Sequence, residues 1–218
     1  MVSNLYFCIL SSFYSVLLLF TCLKNKKNNL EYKIFRKLVL TNFIGIILGF
    51  ICFYTVMNYN SIPIFNYIIS RIYLVYLFVW VLLFTLYTIT ISYNINEKDR
   101  IFNTLKKIAV ILTIIFAILI FYLPLNYVSE KNAVYSYGGA AQLVYVISEV
   151  FTLISIFCMF KNSKKIDIKK YSPLFIYIVC GIIVMLIQSI HPELLLMTSM
   201  EIFSTYIIYF TIEGKNDK

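Results

Sequence analysis

Tyr73-Leu74-Val75-Tyr76-Leu77-Phe78-Val79-Trp80-Val81-Leu82-Leu83-Phe84-Thr85-Leu86-Tyr87 contains no charged residue, no proline and no glycine. The uncharged run continues on both sides, from Ile72 to Ser92. A stretch of roughly 18 or more mainly apolar residues is long enough to cross the hydrocarbon layer as a helix. A bilayer offers no water to bare backbone groups, so such a segment must satisfy its own hydrogen bonds, and a helix does that. A barrel strand would be about 10 residues long with alternating polarity, and this run has neither property.

The same signal recurs at Leu5–Leu23, Leu38–Met57, Ile108–Leu125, Leu143–Phe160, Pro173–Ile190 and Leu194–Ile212, so seven spans are expected. Hydrophobic residues make up 61% of the 218 and charged residues 13%, too little polar surface for a soluble domain of this length. The short connections leave no room for a soluble domain between spans. The expected fold is all-α: a polytopic seven-helix bundle over residues 1–212 with a short tail over 213–218.

Of the 19 Lys and Arg residues, all but Arg71 and Lys131 fall in the loops after spans one, three and five or in the tail. Positive residues mark the cytoplasmic side. The N-terminus is therefore expected outside and the C-terminus in the cytoplasm, in a multi-pass protein of the cytoplasmic membrane. The net charge of +9 then belongs to loops facing anionic lipid headgroups. No motif-bearing basic domain accompanies it, so no nucleic-acid partner is expected.

Met1-Val2-Ser3-Asn4 lacks the positive side chain of a secretion signal, and Thr21 spoils a lipoprotein-like site at Cys22, so the first helix is expected to be retained. Cys8, Cys22, Cys52, Cys158 and Cys180 lie within or at the ends of spans, with no CxxC. They read as small apolar packing residues. Gly45 and Gly49 form a GxxxG pair that lets another helix approach closely, within the bundle or across a homodimer. Pro173 and Pro192 are each expected to open a helix, which places Glu193 in a first turn favourable to an acid. Tyr135-Ser136-Tyr137-Gly138-Gly139-Ala140-Ala141 reads as a tight turn anchored at the interface.

Enzyme motifs are missing: there is no HExxH, G-x-S-x-G, P-loop or Gly-rich nucleotide loop. The lone His191 has no Cys or His neighbour at metal-ligand spacing, so neither metal nor cofactor is expected. What stands out is polarity inside the spans. Glu149 and Glu201 each lie about 9–11 Å below the outer end of their helix, and Gln188 is near the outer end of span six. Acids within spans are rare and usually face the bundle interior or a wet cavity. Helical spacing groups Tyr145, Glu149 and Thr152 on span five, Gly181, Met185 and Gln188 on span six, and Glu201, Ser204 and Thr205 on span seven. One reading is an outward-opening ligand pocket between spans five, six and seven, with Trp80 as a candidate wall. The other is a buried polar cluster that fixes helix packing, with Trp80 in the core.

Four stretches carry a further signal: Phe35-Arg36-Lys37-Leu38 leading into Asn42-Phe43-Ile44-Gly45; Tyr73 through Tyr87; Tyr135-Ser136-Tyr137-Gly138; and Tyr209-Phe210-Thr211-Ile212-Glu213. In order and spacing they resemble the seven-helix N-terminal sensor region of membrane-bound histidine kinases from Firmicutes and their relatives. The resemblance implies a membrane sensor of a two-component system that binds a small extracellular or membrane-borne ligand and signals to a cytoplasmic partner or to kinase domains. After Glu213 only Gly214-Lys215-Asn216-Asp217-Lys218 follow, without a coiled coil, phosphoacceptor histidine or nucleotide-binding box. The expectation is thus a non-enzymatic input half: a truncated product, a split partner or a stand-alone receptor. A small transporter, or its substrate-binding subunit, would use the same acids as a proton or substrate site.

Overall fold

The computed structural model describes residues 2–25, 27–129, 134–162, 168–191 and 196–213. Seven α-helices occupy these residues: α1 (Val2–Lys24), α2 (Leu30–Met57), α3 (Pro63–Tyr93), α4 (Arg100–Tyr122), α5 (Gly139–Lys161), α6 (Ile168–Ile190) and α7 (Leu196–Ile208). A π-helical turn, Tyr209–Glu213, continues α7. The helices run alternately up and down, so one end of the bundle gathers the lysine-rich connections. The other carries a β-hairpin of β1 (Asn126–Ser129) and β2 (Val134–Tyr137).

Four helices, α2 to α5, are long and apolar enough to cross a membrane. The apolar parts of α1 and α6 are shorter, Cys8–Lys24 and Ser172–Gln188. At 1.5 Å per residue, α2 to α5 measure about 35–46 Å, beyond the roughly 30 Å hydrocarbon layer. Large side chains such as Phe13, Phe20, Ile111, Leu153, Phe157 and Leu186 are exposed, an apolar surface suited to lipid. The chain is a helical, membrane-embedded protein.

Several helices outrun their apolar stretches because their ends are set by caps. Asn29 caps α2 by accepting the Tyr32 N–H at 3.2 Å, nine residues before the apolar run starts at Leu38. In these extra turns Leu30, Tyr32, Ile34 and Phe35 are buried while Lys33 is only partly covered and Arg36 and Lys37 are exposed. Pro63 opens α3, where its missing N–H costs nothing. At the other end Asn94 adopts the left-handed conformation, φ 49°, and closes the helix.

One expectation needs correcting. Pro173 does not open α6 but lies inside it, because the lysine-rich turn from Ile168 is helical too and an apolar-run reading discards it. Beside the all-α bundle lies a short hairpin, whose antiparallel register pairs Asn126 with Tyr137 and Ser129 with Val134. Its four-residue strands of Tyr, Val and Ser suit a pleated surface but are too short to register beside helices. At its neck Gly138 has φ +125°, and a Cβ there would lie 2.8 Å from the Pro124 carbonyl oxygen, so glycine is required. Arg71 is buried inside α3, where Nη2 donates to Leu123 O at 3.1 Å and Nε to Phe121 O at 3.4 Å. It satisfies carbonyls at the C-terminal end of α4. Pro192 and Glu193 lie outside the described residues.

α3 sits centrally, packed on α2, α4 and α5, while α7 packs on α1, α2 and α6. α4 is peripheral: among its residues only Ala109 and Ile120 are buried. α5 and α6 touch sparsely. An aromatic core fills the lysine-rich half, with Phe35 against Tyr87 and Tyr209, and Trp80 stacked on Phe84 at 5.6 Å and tilted on Tyr177 at 5.5 Å.

Candidate functional site

The polar side chains of α7 form a ladder facing α2 and α3. Near the hairpin end, Thr198 Oγ1 and the Tyr73 hydroxyl are 2.8 Å apart. One turn on, the Tyr76 hydroxyl donates to Glu201 Oε2 at 2.6 Å. Asn42 Nδ2 then donates to Thr205 Oγ1 at 2.7 Å, and Thr205 Oγ1 to the Glu201 carbonyl at 2.5 Å. At the lysine-rich end the Tyr87 hydroxyl donates to Glu213 Oε1 at 2.9 Å, and Lys27 Nζ donates to the Glu213 carbonyl. Glu201 and Glu213 are 2% and 1% exposed. A buried acid is costly unless it is hydrogen-bonded, and each has a tyrosine supplied by α3.

The π turn explains how Glu213 joins this face. Thr198, Glu201 and Thr205 are at i, i+3 and i+7, and an unbroken α-helix would bring Ile212 next. The wider π turn delays the face by about one residue, so Glu213 meets Tyr87. Glu213 is thereby inside the bundle.

Gly45 sets the position of Tyr76. A Cβ at Gly45 would overlap the Tyr76 ring, whereas one at Gly49 would meet only Tyr73 Cε2 at 3.7 Å. The GxxxG pair thus serves packing within the bundle, admitting the Tyr73 and Tyr76 rings between α2 and α3.

Glu201 also borders a cavity of about 20 Å³ with Ser148, Thr152, Tyr177, Gly181 and Met185, about the room of one water molecule. Beyond Thr152 and Met185, which line both spaces, lies a side-opening groove of about 570 Å³ between α5 and α6. Glu149 is in this groove with Gln142, Tyr145 and Leu186, and it is exposed rather than inward. α5 presents its small residues Ala140, Ala141, Ser148 and Ser155 inward, and the Ser155 hydroxyl donates to Thr85 of α3 at 3.3 Å. That rotation leaves Glu149 at the helix edge.

Gln188 lines neither space. Its Oε1 accepts the Met197 N–H at 3.1 Å and its Nε2 donates to the Tyr145 hydroxyl at 3.4 Å. It joins α5, α6 and the first turn of α7. Trp80 is 1% exposed and packs in the core, with Nε1 lacking a hydrogen-bond partner among the described residues. The three polar candidates thus share one region without sharing one pocket: Glu201 inside, Glu149 beyond a thin wall, Gln188 at the helix junction.

Sequence reasoning missed Tyr76, Tyr87, Asn42 and Glu213. Part of the signal was present: the two tyrosines are 11 residues apart on α3, about three helical turns, whereas Glu213, 12 residues after Glu201, reaches the same face only through the π turn. Among the described residues no cluster of His, Cys, Asp and Glu could hold a metal ion, and the five cysteines are free. Compared with known proteins, the chain matches no family model and no curated protein, so function rests on the geometry of these residues.

Proposed function

We propose that the protein is a membrane sensory module that relays occupancy of the α5–α6 groove along α7 to a cytoplasmic partner. Seven helices cross the cytoplasmic membrane, with the hairpin end outside and the lysine-rich end in the cytoplasm, as the charge distribution favours. The ligand is a small amphiphile, held by apolar contacts along the groove and by hydrogen bonds to Glu149, with Glu201 one wall away. The observation that carries this reading is the ladder from Thr198 to Glu213. It makes α7 a single element, polar-bonded to α3 near both ends, that a disturbance at Glu201 would shift as a unit. The resemblance to kinase input regions, where the last span leads to the output domains, supports the same direction of signal. A relay needs two arrangements that differ by a few kcal/mol and a ligand that prefers one.

The test is hydrogen exchange of the whole chain in lipid nanodiscs. Tyr76→Phe removes the donor to Glu201 near the hairpin end. Amides 209–213, about three turns away, are expected to exchange at least fivefold faster than in the unsubstituted protein. Unchanged protection there would mean that the two ends are uncoupled and would sink the relay. Net uptake of an amphiphile into proteoliposomes that depends on Glu149 would instead assign a transporter.

A further inference from the structure

A second groove, of about 360 Å³, opens at the lysine-rich end between α1, α2 and α4. Its floor includes Leu19, Leu23, Ile34 and Leu40, and its rim carries Lys33, Arg36, Lys37 and Lys106 with a single acid, Glu97. Lys33 Nζ pairs with Glu97 at 2.5 Å. That pair ties α2 to the α3–α4 connection and neutralises one cation. Arg36, Lys37 and Lys106 have no ion pair among the described residues. Three uncompensated cations beside one cleft repel one another, and an anion seated among them would relieve that repulsion.

We infer that this groove binds one anionic phospholipid, with its phosphate among Arg36, Lys37 and Lys106 and an acyl chain over Leu19, Leu23 and Leu40. The phosphate chemistry is shared with soluble anions, but the floor is not. Leu23 and Leu40 are 56% and 49% exposed, an apolar surface that a free phosphate leaves bare and an acyl chain covers. Guanidinium and ammonium groups both serve phosphate, the guanidinium in bidentate fashion. The site is at the opposite end from the Glu149 groove and is independent of the sensory reading.

The experiment is native mass spectrometry of the whole chain in detergent, titrated with phosphatidylglycerol, phosphatidylcholine or inorganic phosphate. Each Lys or Arg near an anionic surface is worth about fivefold in affinity. Arg36→Gln with Lys106→Gln should weaken phosphatidylglycerol binding about 25-fold, and Glu97→Gln, by freeing Lys33, should strengthen it about fivefold. Lys107→Gln with Lys161→Gln removes the same charge away from the groove and should leave affinity within about twofold. Equal weakening by that pair would mean diffuse surface attraction and overturn the site. So would phosphatidylglycerol binding no better than phosphatidylcholine, and phosphate adducts that depend on Arg36 and Lys106 would then assign a soluble anion. Should the Arg36/Lys106 variant fail to fold, Glu97→Gln decides the matter. Glu97 is exposed at the rim, and an unchanged affinity in that variant rejects the proposal.

Discussion

A methyl group added at Gly45 would collide with the Tyr76 ring, and one added at Gly49 would find ordinary contact with Tyr73. The two glycines look alike in sequence, and their environments predict opposite outcomes. Gly45→Ala must push Tyr76 off Glu201 and should lower stability by about 1–3 kcal/mol in SDS-titrated unfolding. Gly49→Ala should stay within about 0.5 kcal/mol. A loss of equal size at both positions would mean that close helix approach, and not the placement of Tyr76, is what the pair provides. Outside the spans, the Lys33 ammonium bonded to Glu97 holds that carboxyl below the ordinary carboxylate range. A depressed pKa stabilises above the unfolded value, and the contribution disappears as pH falls through the folded one. Because Glu97 is exposed, salt should screen the effect. The unfolding midpoint of Lys33→Gln should therefore match that of the unsubstituted protein at low pH and fall slightly below it at neutral pH and low salt.

At the scale of elements, α7 and α4 are held in different ways. Replacing Tyr87 by Phe leaves Glu213 Oε1 without the α3 hydroxyl. Removing one partner of a buried hydrogen bond costs about 1–3 kcal/mol, and because coupling between the two ends is reciprocal, faster exchange is expected at 198–201 as well as at 209–213. Loosening confined to 209–213 would mean that the π turn has a stability of its own and would count against the relay. α4 buries almost nothing, and its last carbonyls are met from α3 by Arg71 and, at Phe121, also by the Tyr67 hydroxyl. Arg71→Leu should raise exchange through 118–123 at least tenfold while α3 stays protected, and the converse would show that Arg71 serves α3 instead. Glu201 was legible in the sequence because an acid within an apolar run stands out against its cost. Tyr76 and Tyr87 were not, since tyrosine occurs 19 times in this chain and only the helix rotations single these two out. Glu149 is exposed in the groove and not inward for a related reason. Its spacing with Tyr145 and Thr152 is correct, but which stripe of α5 turns inward is decided by the small residues facing α3.

For the molecule as a whole, hydropathy located the seven α-helices of the described residues, because the cost of bare backbone in lipid constrains length and composition together. It could not see caps, the π turn or the hairpin, which depend on a few residues each, such as Asn29, Glu213 and Gly138. The proposed orientation makes a direct prediction in intact cells. A cysteine at exposed Tyr137 should react with an impermeant maleimide, and one at exposed Lys98 only after permeabilisation. The reverse pattern would invert the bundle and with it the direction of signalling. Trp80, stacked on Phe84 and leaning on Tyr177 of α6, is the single tryptophan of the chain. The one tryptophan fluorophore, which can be excited selectively over the tyrosines, is thus at the seam between α3 and α6. Any movement of α6 should change its emission intensity and its quenching by brominated lipid, so an unlabelled protein carries its own optical gauge of the motion that a relay requires.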